Sequence, residues 1–481
     1  MKILMLNPPF LNRYSRSSRS PAVTKSGTIY FPLWLSYATG VLDKLGHEII
    51  ITDAPAKCYT KDETLKIITD FNPSLIIIDT STASINSDLS FAESIKVALQ
   101  NIKICLVGTH ATACINEIIP QKPFIDYIAR HEYDYTLPEL ADAIEGKINI
   151  TAVKGISYNS NGTLINNPDR EYIENLDELP FVSEVYTKYL DIRDYFYAHV
   201  SYPTVSIFSS RGCPSKCFYC MYSQVMFGKQ YRKRSAKSLF DECVYITKEF
   251  PEVKEILIDD DNFAVDQKNV QEFCKLMLDN KCKLKWVVQC RVTLEYETMT
   301  LMKKAGCRLV VVGYESGSQK VLDGMHKGIT LEMSKKFNDA AKKAHIRVHG
   351  CFMVGNPGET KETMIETLEF SKKLRMDTVQ YFPLIVYPGT EAWAWAKQNN
   401  YITAKNYDEW LTADGMHNCV LSTPEVSSKE LVDFCNYARK KFYLRPKYIF
   451  MKLGECLTSK DDLVRTAKSF KTFKKYLLKK S

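Results

Sequence analysis

The chain has 481 residues, of which 45% are hydrophobic and 25% charged. Core material is ample, which excludes wholesale disorder, small disulfide scaffolds and collagen-like fibres, and the length predicts two or three domains. Lys and Arg exceed Asp and Glu by 8, but residues 430–481 alone carry 14 basic and 5 acidic residues. The surplus therefore sits in the tail, and no nucleic-acid partner is expected.

No apolar run approaches the roughly 20 residues that span a bilayer, and the start lacks the long apolar stretch and cleavage site of a secretory signal. A cytoplasmic chain is expected, with peripheral membrane contact left open. Fifteen cysteines in a reducing compartment read as thiols and metal ligands rather than disulfides.

In chain order, residues 2–6 predict a strand ending at Asn7-Pro8-Pro9. A helix over 33–44, a strand over 47–51, a helix near 62–70, a strand over 75–78, a third helix and a strand over 102–108 follow. Short, almost uninterrupted apolar strands between helices predict a doubly wound parallel sheet over 1–150. Its ligand-facing strand ends carry 7–10, 79–84 and 108–113. Residues 151–202 read as a connector with local structure, including a hairpin turn at 159–162. A second alternating region covers 203–391, with strands over 204–209, 255–258, 285–289, 308–312, 347–353 and 378–382. Six strand–helix units predict a partial (β/α)6 barrel, with an open doubly wound sheet as the alternative. From 392 a small helical C-terminal domain is expected, with helices over 428–441 and 463–478. The second of these carries a lysine-rich face, read as a solvated docked helix or as a contact for an acidic partner or membrane. Trp393, Trp395 and Trp410 read as packing anchors.

The strongest local signal is Cys213-x3-Cys217-x2-Cys220, directly after a strand. Three thiols in one compact loop can share one metal centre. Structural zinc wants a fourth protein ligand, whereas an iron–sulfur cube held at three irons leaves one iron for an exchangeable ligand. Spacing alone leaves both open.

With Tyr219 before the third cysteine, this motif resembles the signature of radical S-adenosylmethionine (SAM) enzymes. The resemblance implies a [4Fe–4S] cluster on Cys213, Cys217 and Cys220. SAM would be chelated to the unique iron, and its reductive cleavage would give a 5'-deoxyadenosyl radical. Ile258-Asp259-Asp260-Asp261-Asn262-Phe263 resembles the acidic motif after the second barrel strand, which implies Asp260 and Asp261 near SAM or the cluster. Val312-Gly313-Tyr314-Glu315-Ser316-Gly317 resembles the fourth-strand motif, with Glu315 on the ribose hydroxyls. Tyr219 and Ser316 join this SAM set, and Arg291 is placed on the SAM carboxylate or in a structural ion pair.

Asn7-Pro8-Pro9, Phe31-Pro32-Leu33, Val107-Gly108-Thr109-His110-Ala111-Thr112 and Arg130-His131-Glu132 resemble the front domain of the cobalamin-binding branch of that family. The implied cobalamin contacts are Pro9, Thr80, Ser81, Gly108, Thr109 and His110. The Asp-x-His-x-x-Gly motif is missing, so His110 either faces the corrin or orders its own loop. Bulk at His131 and Tyr133 argues against an ordinary nucleotide-tail pocket.

The expected activity is cobalamin-dependent radical methylation of an unactivated carbon in a small-molecule, lipid or peptide-derived substrate. Radical cyclisation, oxidation or rearrangement is the alternative, and a zinc-supported non-catalytic binding protein is the alternative of a different class. A one-electron reductant such as ferredoxin or flavodoxin is the implied partner, and a monomer is expected. No catalytic acid, base or hydrogen donor is assigned.

Overall fold

The computed structural model of the chain describes residues 1–458 and residue 466. The helix expected over 463–478 therefore lies, Thr466 apart, outside the described residues. Among the described residues no helix is long and apolar enough to cross a membrane.

The first sheet has seven strands: Lys2–Asn7 (β1), Glu48–Asp53 (β2), Leu75–Thr80 (β3), Lys103–Gly108 (β4), Tyr127–Ala129 (β5), Ile156–Ser160 (β6) and Thr163–Asn166 (β7), in the order β2-β1-β3-β4-β5-β6-β7. β1 to β5 run parallel, and β3 is buried at every residue, as a strand covered on both faces must be. The order reverses between β1 and β3, which opens a crevice at their carboxyl ends. The helix Leu33–Lys44 follows its expected bounds.

The turn at 159–162 closes the β6–β7 hairpin, with Asn161 and Gly162 at φ 51° and 87°, the conformation a two-residue hairpin turn demands. β6 pairs antiparallel with β5, so the local structure expected within the connector 151–202 is a hairpin joined to the front sheet. The first part of that segment extends the front sheet, and it covers the edge that β5 would otherwise leave open.

The second sheet contains Thr204–Ile207 (β8), then, after a short ribbon of Ser210–Arg211 (β9) and Arg232–Lys233 (β10), Glu255–Ile258 (β11), Lys285–Cys290 (β12), Cys307–Glu315 (β13), Arg347–Val354 (β14) and Thr378–Pro383 (β15). All six main strands are parallel, and their spatial order follows chain order. That progression lacks the reversal of a doubly wound sheet and gives a partial barrel. The helix Ser428–Tyr443 lies along the edge strand β15. There the Tyr443 hydroxyl donates to the Val379 carbonyl (2.7 Å) and accepts from its N–H (2.8 Å). The helical tail thus completes the barrel wall.

Residues 8–32 form a strap between β1 and the first helix. Their pattern is neither helical nor alternating, and long-range polar contacts hold them. The Tyr14 hydroxyl lies 2.7 Å from Ser81 Oγ, and Arg16 pairs with Asp88 at 2.5 Å with both side chains fully buried. Arg19 reaches across to Asp259 (2.5 Å) and Asp261 (3.3 Å) beyond β11. Ser20 meets Tyr387 (3.0 Å), and the Val23 N–H donates to the Gly415 carbonyl (2.8 Å). The strap therefore threads the seam between the front sheet, the barrel mouth and the C-terminal segment.

Candidate active site

The cysteine loop starts at the end of β9. Gly212 has φ +78°, and a Cβ there would collide with the Gln230 carbonyl, so only glycine lets the loop pass the 227–230 backbone. Cys213 and Cys217 are buried, and Cys220 is half-buried. Gln224 Nε2 donates to the carbonyls of Cys217, Phe218 and Cys220 at 3.1, 2.9 and 3.2 Å, which ties the loop to the turn that follows it. Arg291 Nη1 lies 3.3 Å from Cys217 Sγ, and its charge is further favoured by Cys213. Among the described residues no three His, Cys, Asp or Glu groups close around a single metal ion. Three cysteines on one loop with a guanidinium alongside fit an iron–sulfur cluster, whose net charge such a neighbour offsets.

The end of β13 supplies the next group. The ladder shifts register between Gly313 and Glu315, and Glu315 takes φ 63°, a costly conformation for this residue type that occurs where function holds it. Its Oε1 accepts from Lys327 Nζ (2.6 Å) and the Tyr219 hydroxyl (3.0 Å). The Lys327 carbonyl in turn accepts from Arg291. Tyr219, Arg291 and Glu315 therefore meet beside the cysteines, together with Lys327.

Of the remaining residues of the expected SAM set, Asp260 and Asp261 sit at the entry to the cysteine loop, with Asp261 beside Cys220. Asp260 is buried and accepts four hydrogen bonds, from the N–H and hydroxyl groups of Ser209 (2.7 and 2.5 Å) and Ser210 (3.1 and 2.7 Å). It anchors the chain entering the cysteine loop, and burial raises its pKa to about 6. Asp261 takes the Gly212 N–H and Arg19. Ser316 turns back onto Thr367 and the Ser318 N–H.

On the front sheet, a small cavity at the carboxyl ends of β3 and β4 is lined by Asp79, Thr80, Gly108, Thr109 and Tyr133. Arg16 and Ser17 of the strap join them, and Trp34, Tyr222 and Met226 close the barrel side. A Cβ on Gly108, at φ +104°, would strike the Thr80 carbonyl. Arg16 Nη1, Ser17 Oγ and the Tyr133 hydroxyl are buried there without partners. Orphaned polar atoms are costly unless a ligand or a water satisfies them, so the three mark a polar site at these strand ends, in line with the ligand-facing position expected there. Burial raises the Asp79 pKa to about 7. Of the expected cobalamin contacts, Thr80, Gly108 and Thr109 line this cavity. Pro9 is buried outside its lining, and Ser81 is engaged by Tyr14 and Ser84. His110 points to Thr82 (Nδ1 to Oγ1, 3.2 Å) and stacks edge-on with Tyr407, and burial drives its pKa down to about 3. These contacts tie the ring to the loop after β3 and to the C-terminal segment.

The two sites are joined by residues whose role the sequence did not disclose. Arg211, 1% exposed, donates from Nη1 to Glu132 and Asp134 (both 2.6 Å), and Arg232 Nη1 donates to Glu132 (2.6 Å). The Arg211 guanidinium also sits among the rings of Trp34, Tyr37, Phe208 and Phe227. Arg211 immediately precedes the cysteine loop, and Glu132 ends the Arg130-His131-Glu132 motif. The signal was present in two separate motifs, but their pairing is long-range. Lys327, Arg16 and Arg19 were missed for the same reason.

The radical SAM superfamily model matches residues 207–371 and the B12-binding-domain model residues 19–141. An uncharacterised methyltransferase of Pyrococcus horikoshii is 30% identical over 456 residues, 95% of each chain. The anaerobic magnesium-protoporphyrin IX monomethyl ester cyclase of Rubrivivax gelatinosus is 26% identical over 74% of this chain and 64% of its own length. The radical SAM methyltransferase TsrM of Kitasatospora setae, solved with cobalamin and a [4Fe–4S] cluster, superposes with a TM-score of 0.69 at 15% identity. That match covers 93% of this chain and 89% of the other, and is a likeness of fold.

Proposed function

The chain belongs to the radical SAM enzymes that carry a cobalamin-binding domain, and from there we propose that it transfers a methyl group to a carbon of an organic substrate held in the seam between its two sheets. It performs cobalamin- and SAM-dependent radical chemistry and depends on an external electron donor, here taken to be of the ferredoxin or flavodoxin class. The [4Fe–4S] cluster, SAM and cobalamin, when bound, supply the radical and the methyl group.

Every other part falls to the chain. Cys213, Cys217 and Cys220 hold the cluster, with Arg291 offsetting charge at Cys217. Glu315, oriented by Lys327 and Tyr219, presents a carboxylate to ribose hydroxyls. Asp260 fixes the start of the loop, Asp261 ties it to the strap, and Ser316 orders the turn after Glu315. Thr80, Gly108, Thr109, Arg16, Ser17 and Tyr133 receive the corrinoid. The strap shields the seam, so that a reactive carbon radical meets its substrate and little else.

One observation carries the reading: Arg211, the residue two before Cys213, is held in a buried ion network by Glu132 and Asp134 of the front sheet. This supports a reading in which the two cofactor sites share one seam, as direct transfer between them requires. Turnover with SAM labelled in its methyl group tests it, using the anaerobically reconstituted enzyme and fractionated small-molecule extracts. The label is expected in a product carbon. Consumption of a substrate with label recovered only in methionine would replace methylation with ring formation or rearrangement, the chemistry suggested by the cyclase relatives.

A further inference from the structure

The cysteine loop is enclosed on most sides. Arg211 locks its start to the front sheet, and Arg291 faces it from the barrel. The Phe218 N–H donates to the Met325 carbonyl (3.2 Å), and the Phe218 carbonyl accepts from the Ala392 N–H (3.0 Å) at the start of the helix Glu391–Gln398. The tip of the loop is different. Pro214 and Lys216 are exposed, with Ser215 half-exposed between them. Residues 228–230 run alongside, since the Cys213 N–H donates to the Gly228 carbonyl (3.3 Å) and Gly212 abuts the Gln230 carbonyl. They place exposed Lys229 and Gln230 at the rim of the same patch. The ammonium groups of Lys216 and Lys229 make no ion pair or hydrogen bond among the described residues.

An electron entering the cluster must cross the protein by the shortest route, because tunnelling falls off exponentially with distance. At the solvent-facing tip of the loop, Pro214 and Lys216 each adjoin one of the cluster cysteines in sequence, so a carrier docked there stands close to two of the thiols. Two unpaired cations on a small, mostly polar patch suit a transient encounter with an acidic partner, the weak and salt-sensitive type of interface that electron carriers use. We propose that Pro214, Ser215, Lys216, Lys229 and Gln230 form the docking surface for a small acidic one-electron carrier. One electron leaves the reduced flavin or iron–sulfur centre of the carrier and reduces the cluster by one electron; no bond forms or breaks. The inference rests on the cluster reading above, which reduction by dithionite tests separately.

The test uses the anaerobically reconstituted holoenzyme, with reduced flavodoxin and dithionite as alternative reductants. The variants are Lys216→Glu, Lys229→Glu and the pair together. Cluster reduction is followed by stopped-flow absorbance, and oxidised flavodoxin binding by titration over a range of salt. The double variant should slow reduction by flavodoxin, and weaken its binding, by about tenfold or more at low salt. The gap should narrow as salt screens it, and the dithionite rate per iron should stay unchanged. Unaltered binding and reduction by flavodoxin would overturn the proposal, as would an equal loss with both reductants at full iron content. Should Lys216→Glu lower iron content, Lys229→Glu, outside the loop, decides the matter alone.

Discussion

Glu132→Gln offers the most direct perturbation of the joint between the sheets. Glu132 is 4% exposed and accepts three hydrogen bonds: from Arg211 and Arg232 (2.6 Å each) and from the Ile173 N–H (2.9 Å). Glutamine preserves the shape but removes the charge and one acceptor. Arg211 retains Asp134, whereas Arg232 loses its one carboxylate and keeps only the carbonyls of Ile173 and Phe227. Removing one partner of a buried pair costs about 3–5 kcal/mol. With Asp134 left in place, the expected loss lies nearer the value of a charged hydrogen bond, about 2–3 kcal/mol. A chain with several packed units has no single unfolding equilibrium, so the appropriate measurement is the first thermal transition, read with iron content per chain after reconstitution. Both should fall. Glu171→Gln, at an exposed pair with Lys154 (side chains 77% and 49% exposed), should change stability by no more than about 0.5 kcal/mol. Adding Arg232→Met to Glu132→Gln should recover part of the loss, because the stranded charge is gone. If Glu132→Gln leaves both measurements unchanged, or Arg232→Met deepens the loss additively, the buried network does not bear the joint.

Other substitutions probe the separate parts. Glu315→Gln keeps cluster content but should weaken SAM binding about tenfold, equivalent to about 1.4 kcal/mol, as read by titration of the reconstituted protein; unchanged affinity would remove Glu315 from the ribose site. Gly212→Ala should cost the cluster itself, since an alanine can neither adopt φ +78° cheaply nor clear Gln230; normal iron content would refute it. Asp79 has its pKa raised from 3.8 to about 7 by burial, so the folded chain holds a proton there that the unfolded chain releases. Its contribution favours folding at low pH and is lost as pH rises from about 4 to about 7. The stability difference between wild type and Asp79→Asn should therefore decline across that window and stay flat above it, and a difference independent of pH would show that Asp79 does not titrate there.

What the sequence revealed, and what it hid, follows the range of the interactions involved. The helix Leu33–Lys44, the Asn161-Gly162 turn and the cysteine loop depend on near neighbours, and all three were legible from local pattern. The pairing of β6 with β5 was not, because the short run 127–129 carries no sign of its far edge. Asp260 stands in a motif that suggests a ligand contact, and only the fold adds that its oxygens accept from Ser209 and Ser210 some fifty positions earlier. A carboxylate at a strand end looks the same in either role until the neighbouring strand end is placed beside it. His110 behaved similarly, since only the packing of Tyr407 shows which way the ring turns.

The strap has a consequence for how such chains can be recombined. Although residues 8–32 precede most of the front sheet in sequence, their contacts are shared among three parts of the molecule, with the Arg19 side chain committed to Asp259 and Asp261 and the Val23 backbone to Gly415. A chimera joined within the connector would import the front half with a lining fitted to another barrel, and strand two carboxylates at the barrel mouth. Exchange between relatives should therefore carry the strap with the barrel that it serves and leave the strands on either side of it behind, a split that the linear order of the gene conceals.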